Sequence, residues 1–533
     1  MIANVAALLA GAALAAAPTP CSGLKSITLA QTTVTMADIV PAGTFTPPPN
    51  PAAQPAAAPA AAPAAEGRGG RGGGRGGEGG GGGAPAAAPL VANQAFCRIA
   101  ATMRPTADSV IDMEVWLPET WNGKFQFVGG GGWAGVISYP ALVAAINEGY
   151  ATASTDTGHK GGNANFAIGH PEKVIDFAYR AIHETAVKAK AIMTTHYDRA
   201  PRLSYWNGCS TGGRQGLMSA QRYPEDFDAI IAGAPANYQT HLHTWDLGVA
   251  IPVLKDPSAA VPTAKLQMLN RAVVAACDAN DKVKDSLLNE PRTCKFDPAT
   301  LLCKAGDAEG CLTASQLESV KRMYAAARTR AGEVVFPGKE YGSETTWTVI
   351  NGTAQVPPAI SVGSFLVAYD TLNWDWKGFD LDRDLKVVDE KFGNIVNAVN
   401  PDLAAFKKRG GKLILYHGWN DTAISPGNTI NYYNSVLAKM GGKQDDFVRL
   451  FMVPGMGHCQ GGQGPSQINW MSALENWREG GQAPAQLHAS RVANNRVDMT
   501  RPICAYPQVA QYKGVGSTND AANFVCRAAQ SGN

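Results

Sequence analysis

Two glycine-rich runs carry the residues best suited to chemistry. "NGCSTGGRQG" (207–216) sets Ser210 in a turn directly after Cys209, and "GMGHCQGG" (455–462) sets His458 directly before Cys459. Gly208-Cys209-Ser210-Thr211-Gly212 fits G-x-S-x-G between "RLSYWNG" (202–208), which reads as a strand, and "RQGLMSAQRY" (214–223), which reads as a helix. In that setting a sharp turn lifts the serine hydroxyl above a sheet edge. It also aims the next backbone N–H at an oxygen that becomes negative during acyl transfer. A glycine-rich packing turn is the plainer alternative. A nucleophilic serine needs a histidine base and an acid that orients it. On an open α/β sheet both follow the serine, acid first, on loops after strands. "KLILYHGWND" (412–421) offers Asp421, and "RLFMVPGMGH" (449–458) offers His458. Asp156 and His159 precede the serine, so their order is wrong. His417 lies at its strand end and reads as a hydrogen-bonded structural residue. His183 falls on a long helix and Asp246 in an irregular region.

The developing oxyanion needs two N–H donors. Thr211 supplies one, and the run "GGGG" (129–132) supplies the other. That run has neither the lysine of a phosphate loop nor the acidic partner of a dinucleotide fold. If Cys209 and Cys459 are bonded, their Cα atoms lie about 5.5–6 Å apart. Their neighbours Ser210 and His458 are then stapled together across the intervening chain.

The elements needed to position these residues are legible. "DMEVWLP" (112–118), "KFQFVGGGG" (124–132), "YATASTDTG" (150–158) and "FDAIIAGAP" (227–235) read as strands. Residues 171–197 have helical apolar spacing. Alternating strands and helices predict a parallel α/β sheet. The pattern breaks from about 237 to 397 and resumes afterwards. The predicted class is therefore α/β, an α/β-hydrolase fold with a large inserted lid domain. The expected division is a signal peptide at 1–20, an N-terminal segment at 21–45 and a disordered Pro/Ala/Gly-rich insertion at 46–90. The catalytic domain follows at 91–236 and 398–533, with the lid at 237–397 between its parts.

Bulk properties exclude several function classes. A net charge of +2 over 533 residues gives no electrostatic case for nucleic acid or an anionic membrane as partner. Ten cysteines contain no CxxC pair, so zinc-finger spacing is absent. Cys277 with Cys294, Cys303 with Cys311 and Cys504 with Cys526 fall close in sequence and read as disulfides of an oxidising compartment. The Ala/Leu-rich start reads as a secretory segment cleaved near Ala17, too short to span a bilayer. The expected location is secreted or periplasmic. A second site is suggested by "CDANDKVKDSLLNEPRTC" (277–294), where Asp278, Asp281 and Asp285 cluster, with Val283 and Leu287 at alternating positions. Carboxylates mixed with backbone carbonyls suit Ca²⁺. On pattern alone a solvated acidic loop is the preferred reading.

Taken together, "YWNGCSTGGRQG", "YHGWND", "VPGMGHCQGG", "CDANDKVKD" and "WNGKFQFVGGGGWAG" resemble the motifs of the tannase/feruloyl esterase family. The resemblance runs from about residue 91 to the C-terminus, and Cys21 joins it. It implies Ser210, Asp421 and His458 as catalytic residues, with Gly132 and Thr211 as the oxyanion donors. It also implies a structural Ca²⁺ on Asp278, Asp281, Val283 O, Asp285 and Leu287 O. The implied bridges are Cys21–Cys97, Cys209–Cys459, Cys277–Cys294, Cys303–Cys311 and Cys504–Cys526. The implied activity is hydrolysis of a small aromatic ester, free or carried on plant polysaccharide. Feruloyl-type esters lead, with tannase and mono(2-hydroxyethyl) terephthalate hydrolysis as alternatives. The terephthalate pattern has an aromatic residue three positions after the acid, where this chain has Ile424. Trp245, Trp347, Trp374 and Trp376 are candidates either to stack on an acyl ring or to fill the lid core.

Overall fold

The computed structural model describes residues 18–49 and 89–529. The expected signal peptide, apart from residues 18–20, lies outside the described residues. So does the 46–90 segment, apart from 46–49 and 89–90. Strand Gly43–Phe45 pairs antiparallel with Leu90–Ala92, joining the chain on the two sides of that segment.

The core is a nine-stranded sheet. Its strands are β1 (Thr32–Val40), β2 (Phe96–Met103), β3 (Ile111–Pro118), β4 (Lys124–Val128), β5 (Ala151–Thr155), β6 (Leu203–Cys209), β7 (Ala229–Gly233), β8 (Lys412–Gly418) and β9 (Val448–Val453). The spatial order is β1-β2-β3-β5-β4-β6-β7-β8-β9. Strands β5, β4, β6, β7, β8 and β9 run parallel to their neighbours in that order. β1, β2, β3 and β5 are joined antiparallel. The sheet is thus mixed rather than wholly parallel, because the N-terminal strands meander along one edge without helical crossovers.

Two-residue periodicity places the apolar faces. On β6, Trp206 enters the core on one side and Tyr205 the core on the other. On β8, Leu413 and Leu415 separate in the same way from Ile414 and Tyr416. The helices covering the sheet are α1 (Tyr139–Asn147), α2 (Ala181–Tyr197) and α3 (Thr211–Arg222). The stretch before α2 is helical from Pro171, passing through one π turn at Asp176–Arg180.

Between β7 and β8 the chain leaves the sheet for a large insertion. It is mostly helical, with α4 (Gln239–Lys255), α5 (Thr263–Cys277), α6 (Ala314–Tyr324), α7 (Ala359–Tyr369) and α8 (Leu381–Val388). The irregular look of this stretch in sequence has a physical cause. α4 buries apolar Leu242, Trp245 and Leu247 together with polar Thr240, His241, His243 and Thr244. A helix enclosed on most sides shows no polar stripe. After β8 come α9 (Pro426–Lys439), then β9 and α10 (Trp470–Gly480). Two C-terminal hairpins follow, the second attached through Cys504–Cys526.

No helix among the described residues is long and apolar enough to cross a membrane.

Candidate active site

Ser210 is the single residue between β6 and α3, held at φ 63° and ψ −124°. An L-residue reaches this conformation only under constraint, and the constraint is visible. Ser210 N–H donates to Gly233 O at 3.0 Å, and its own carbonyl accepts from Arg214 and Ala236. The flanking glycines permit the close crossing of strand and helix. A Cβ at Gly208 would stand 2.6 Å from Gly212 O, and one at Gly213 would stand 2.4 Å from Gly233 O.

Asp421 lies just beyond β8 and is fully buried. Its Oδ1 accepts the N–H groups of Ala423 (2.8 Å) and Ile424 (2.9 Å). Its Oδ2 accepts from His458 Nδ1 at 2.7 Å and from His417 Nε2 at 3.0 Å. Burial alone would favour the protonated acid. Hydrogen bonds from His417 and His458 outweigh it and hold the carboxyl well below the usual carboxylate range. Asp421 is therefore an ionised acceptor that fixes His458 with Nδ1 protonated and Nε2 free to act as a base. His417 shares the same carboxylate oxygen. Its Nε2–H also reaches Ile424 O at 3.1 Å, and its Nδ1 accepts from Thr429 Oγ1 at 2.7 Å.

Cys209 and Cys459 are bonded, with Cα atoms 5.9 Å apart across 250 residues of chain. The bridge joins the residue before Ser210 to the residue after His458, so the elbow and the histidine loop are covalent neighbours. The other bridges are Cys21–Cys97, Cys277–Cys294, Cys303–Cys311 and Cys504–Cys526.

The glycine loop after β4 lies beside the elbow and is pinned at four points. Gly130 N–H donates to Gln215 Oε1 (3.1 Å), and Thr211 Oγ1 donates to Gly132 O (3.0 Å). His159 Nε2 donates to Trp133 O (2.7 Å), and Trp133 Nε1 donates to Ile360 O (2.8 Å). Gly132 takes φ 53°, which suits glycine. The Thr211 N–H opens α3, where first-turn donors have no intrahelical partner. Thr211 and Gly132 are thus tied directly to one another next to Ser210. A serine at an elbow, a buried acid–imidazole pair and two adjacent backbone donors form the set needed for acyl transfer.

A profile described as "Tannase and feruloyl esterase" matches residues 97–527. The chain belongs to the tannase and feruloyl esterase family. It is 36% identical to an uncharacterized esterase of Xanthomonas campestris pv. campestris, over 98% of this chain and 93% of that one. It is 33% identical to the protein named "Probable feruloyl esterase B-2" of Aspergillus terreus, over 81% and 86% of the two chains. The crystal structure of feruloyl esterase B from Aspergillus oryzae superimposes with a TM-score of 0.84, covering 95% of this chain and 99% of that one at 29% identity. The family assignment makes this chain a carboxylic ester hydrolase on an α/β-hydrolase fold.

Order along the chain set aside one residue that this family member uses near its site. His159 cannot be a third triad member, but it anchors the glycine loop through Trp133. Burial pushes its imidazole down to about 4, so at neutral pH it is uncharged and donates through Nε2. Gln215 shows no sequence signal beyond its place one turn into α3. Among the lid tryptophans, Trp245 and Trp347 are 1% exposed inside the insertion core, and Trp374 stacks on Phe365.

The family resemblance also implies Ca²⁺ on the 278–287 loop, and the donor set there is hard oxygen. Asp281 Oδ1 accepts Val283 N–H and Asp285 Oδ1 accepts Leu287 N–H, with Lys282 and Ser286 left-handed between them. Asp278 Oδ1 accepts Asp285 N–H at 3.3 Å. Burial, with repulsion from Asp285 and Asp278, pushes the Asp281 carboxyl up to about 7 against the pull of the Val283 N–H. Asp285 is already paired with buried Arg501 at 2.5 Å. Among the described residues no group of three or more His, Cys, Asp or Glu side chains is gathered tightly enough to hold a metal ion. The side chains alone do not gather into a metal site, and the carbonyls of Val283 and Leu287 would be needed to complete a hard-oxygen shell.

Proposed function

We propose that this chain is a secreted or periplasmic serine esterase that hydrolyses esters of aromatic acids, with hydroxycinnamoyl (feruloyl-type) esters its main substrates. The observation that carries the reading is the 2.7 Å His458–Asp421 bond on a loop bridged to the residue preceding Ser210. The acyl preference is supported by the names of the relatives, two of them feruloyl esterases. The five disulfides support an oxidising compartment.

In this reading His458 Nε2 takes the Ser210 proton as the hydroxyl oxygen attacks the ester carbonyl. The carbonyl oxygen, now anionic, is held by the N–H groups of Thr211 and Gly132. Collapse expels the alcohol, which takes the proton from His458 and leaves an acyl ester on Ser210. Water, deprotonated by His458, attacks that ester. The acid leaves and Ser210 regains its proton. Asp421 stays ionised throughout and stabilises the imidazolium. The β7–β8 insertion acts as a lid, because it reaches the oxyanion loop through Ile360–Trp133 and the acid loop through Gly342–Asn420. Asp278, Asp281, Asp285 and the carbonyls of Val283 and Leu287 would hold a Ca²⁺, which would neutralise the crowded carboxylates where the insertion meets the C-terminal hairpins.

The test is a panel of methyl ferulate, methyl gallate and mono(2-hydroxyethyl) terephthalate, with kcat/KM for each. Highest kcat/KM on methyl ferulate, lost in Ser210→Ala, is the expected result. Highest kcat/KM on another panel member reassigns the acyl group. Full activity in Ser210→Ala removes the mechanism.

A further inference from the structure

Within the insertion lies a buried charge that nothing so far uses. The Lys339 side chain is 3% exposed, and its ammonium has no hydrogen-bond partner among the described residues. It rests over the Trp245 ring, 4.5 Å from the centroid. Its charged neighbours are Asp246, on α4, and Asp421. Asp246 Oδ2 accepts from Ser361 Oγ at 2.7 Å, and no ion pair within 4.0 Å joins Asp246 to Lys339. Asp246 is only half-buried, so it borders space rather than packed protein. An unpaired buried ammonium costs far more than a paired one. A small group that both accepts and donates hydrogen bonds could satisfy the ammonium and the carboxylate together.

The position of the pair is fixed from two sides. Gly342, three residues after Lys339, accepts at 2.6 Å from Asn420, the residue before Asp421. Ser361 follows Ile360, whose carbonyl accepts from Trp133. Ile360 Cδ1 also lies 3.5 Å from where a Cβ would stand on Gly132. The pair therefore sits between the acid loop and the oxyanion loop, on the lid side of the reacting centre.

We propose that Lys339 and Asp246 form the receptor for a phenolic hydroxyl on the acyl ring of the substrate. The hydroxyl oxygen accepts from the Lys339 ammonium, and its hydrogen is donated to the Asp246 carboxylate. A neutral hydroxyl, both acceptor and donor, satisfies the two groups at once. A carboxylate in the same place would satisfy Lys339 but face Asp246, so a terephthalate monoester is disfavoured. An unsubstituted ring would leave both charges without their partner. The receptor presupposes the aromatic-acyl reading above and specifies which aromatic acids it covers.

Two neutral probes separate the possibilities, methyl 4-hydroxycinnamate and methyl cinnamate, with p-nitrophenyl acetate as a reporter of general esterase chemistry. The wild-type enzyme is expected to prefer the hydroxylated ester in kcat/KM by about 30-fold, the worth of one charge-assisted hydrogen bond. In Lys339→Met the preference falls to about threefold or less. Asp246→Asn keeps shape and volume and makes the same comparison if the lysine variant does not fold. Absence of preference in the wild-type enzyme, or a preference that survives both substitutions, overturns the receptor and leaves the aromatic-acyl reading standing. Cleavage of p-nitrophenyl acetate with neither cinnamate ester accepted overturns both.

Discussion

Replacing Cys209 and Cys459 together by serine removes the bridge between the neighbours of the proposed nucleophile and base, and its effects on stability and on rate can be separated. The bridge closes 250 residues. Chain-entropy scaling gives such a loop about 5.5 kcal/mol of denatured-state constraint at 25 °C. The nested Cys277–Cys294 and Cys303–Cys311 bridges short-circuit 17 and 8 of those residues. This lowers the figure by only about 0.1 kcal/mol, because the dependence is logarithmic. Measured bridges deliver less than the ideal, so a loss of about 3–5 kcal/mol is expected. The rate effect has a different origin. Cα atoms held 5.9 Å apart fix two loops that each contribute one reacting group. Misplacement by about 1 Å costs on the order of 100-fold in rate. The double variant should therefore show a lowered Tm and a kcat reduced about 10- to 100-fold at a temperature well below that Tm. Thermal melts with kcat on p-nitrophenyl acetate measure both. A variant that melts early yet keeps wild-type kcat while folded would refute the reasoning. The bridge would then serve the fold alone.

Three further outcomes follow from the same geometry. His417→Phe removes one donor from Asp421, a charge-assisted bond worth about 1.5–3 kcal/mol. A kcat reduced about tenfold or more is expected, with partial recovery in His417→Gln, which keeps an N–H donor. A folded Phe variant with unchanged kcat would count against it. Glu479 concerns acid stability. Burial would raise its carboxyl, but hydrogen bonds from Lys124, Arg202 and Tyr205 outweigh this and bring it to about 2, below its ordinary 4.5. Its contribution is present above pH 4.5 and lost as pH falls toward 2. Glu479→Gln should flatten the dependence of Tm on pH in that window, and parallel curves for the two proteins would exclude the effect. Chelation by EGTA should lower Tm, because the 278–287 loop packs through Val283 against the C-terminal hairpins and through Leu287 against Gly455 of the loop that carries His458. An unchanged Tm would dismiss Ca²⁺.

Much of this site was legible because its signals are local. The elbow is a strand, a glycine turn and a helix in ten consecutive residues. Asp421 and His458 each sit a few residues past an apolar strand, so order and context suffice to single out two residues that the fold brings into hydrogen-bonding contact. The supports around them are tertiary and leave no such trace. His159 fails the order rule that defines a triad, yet holds Trp133 from 26 residues away. Lys339 and Asp246 lie 93 positions apart, in a stretch where enclosed helices erase amphipathic periodicity. The antiparallel edge of the sheet was hidden for a related reason. β1 and β2 show strand residues, but residue type does not tell which neighbour a strand will choose.

The insertion is fastened to the body of the molecule at many places, three of them widely separated along the chain. Ile360 meets Trp133, Gly342 meets Asn420, and Asp285 meets Arg501 near the C-terminus. A piece attached at so many separate points has no single free hinge axis. If the chain acts as proposed, ester must then enter and alcohol leave by movement of side chains and not by swinging of the whole insertion.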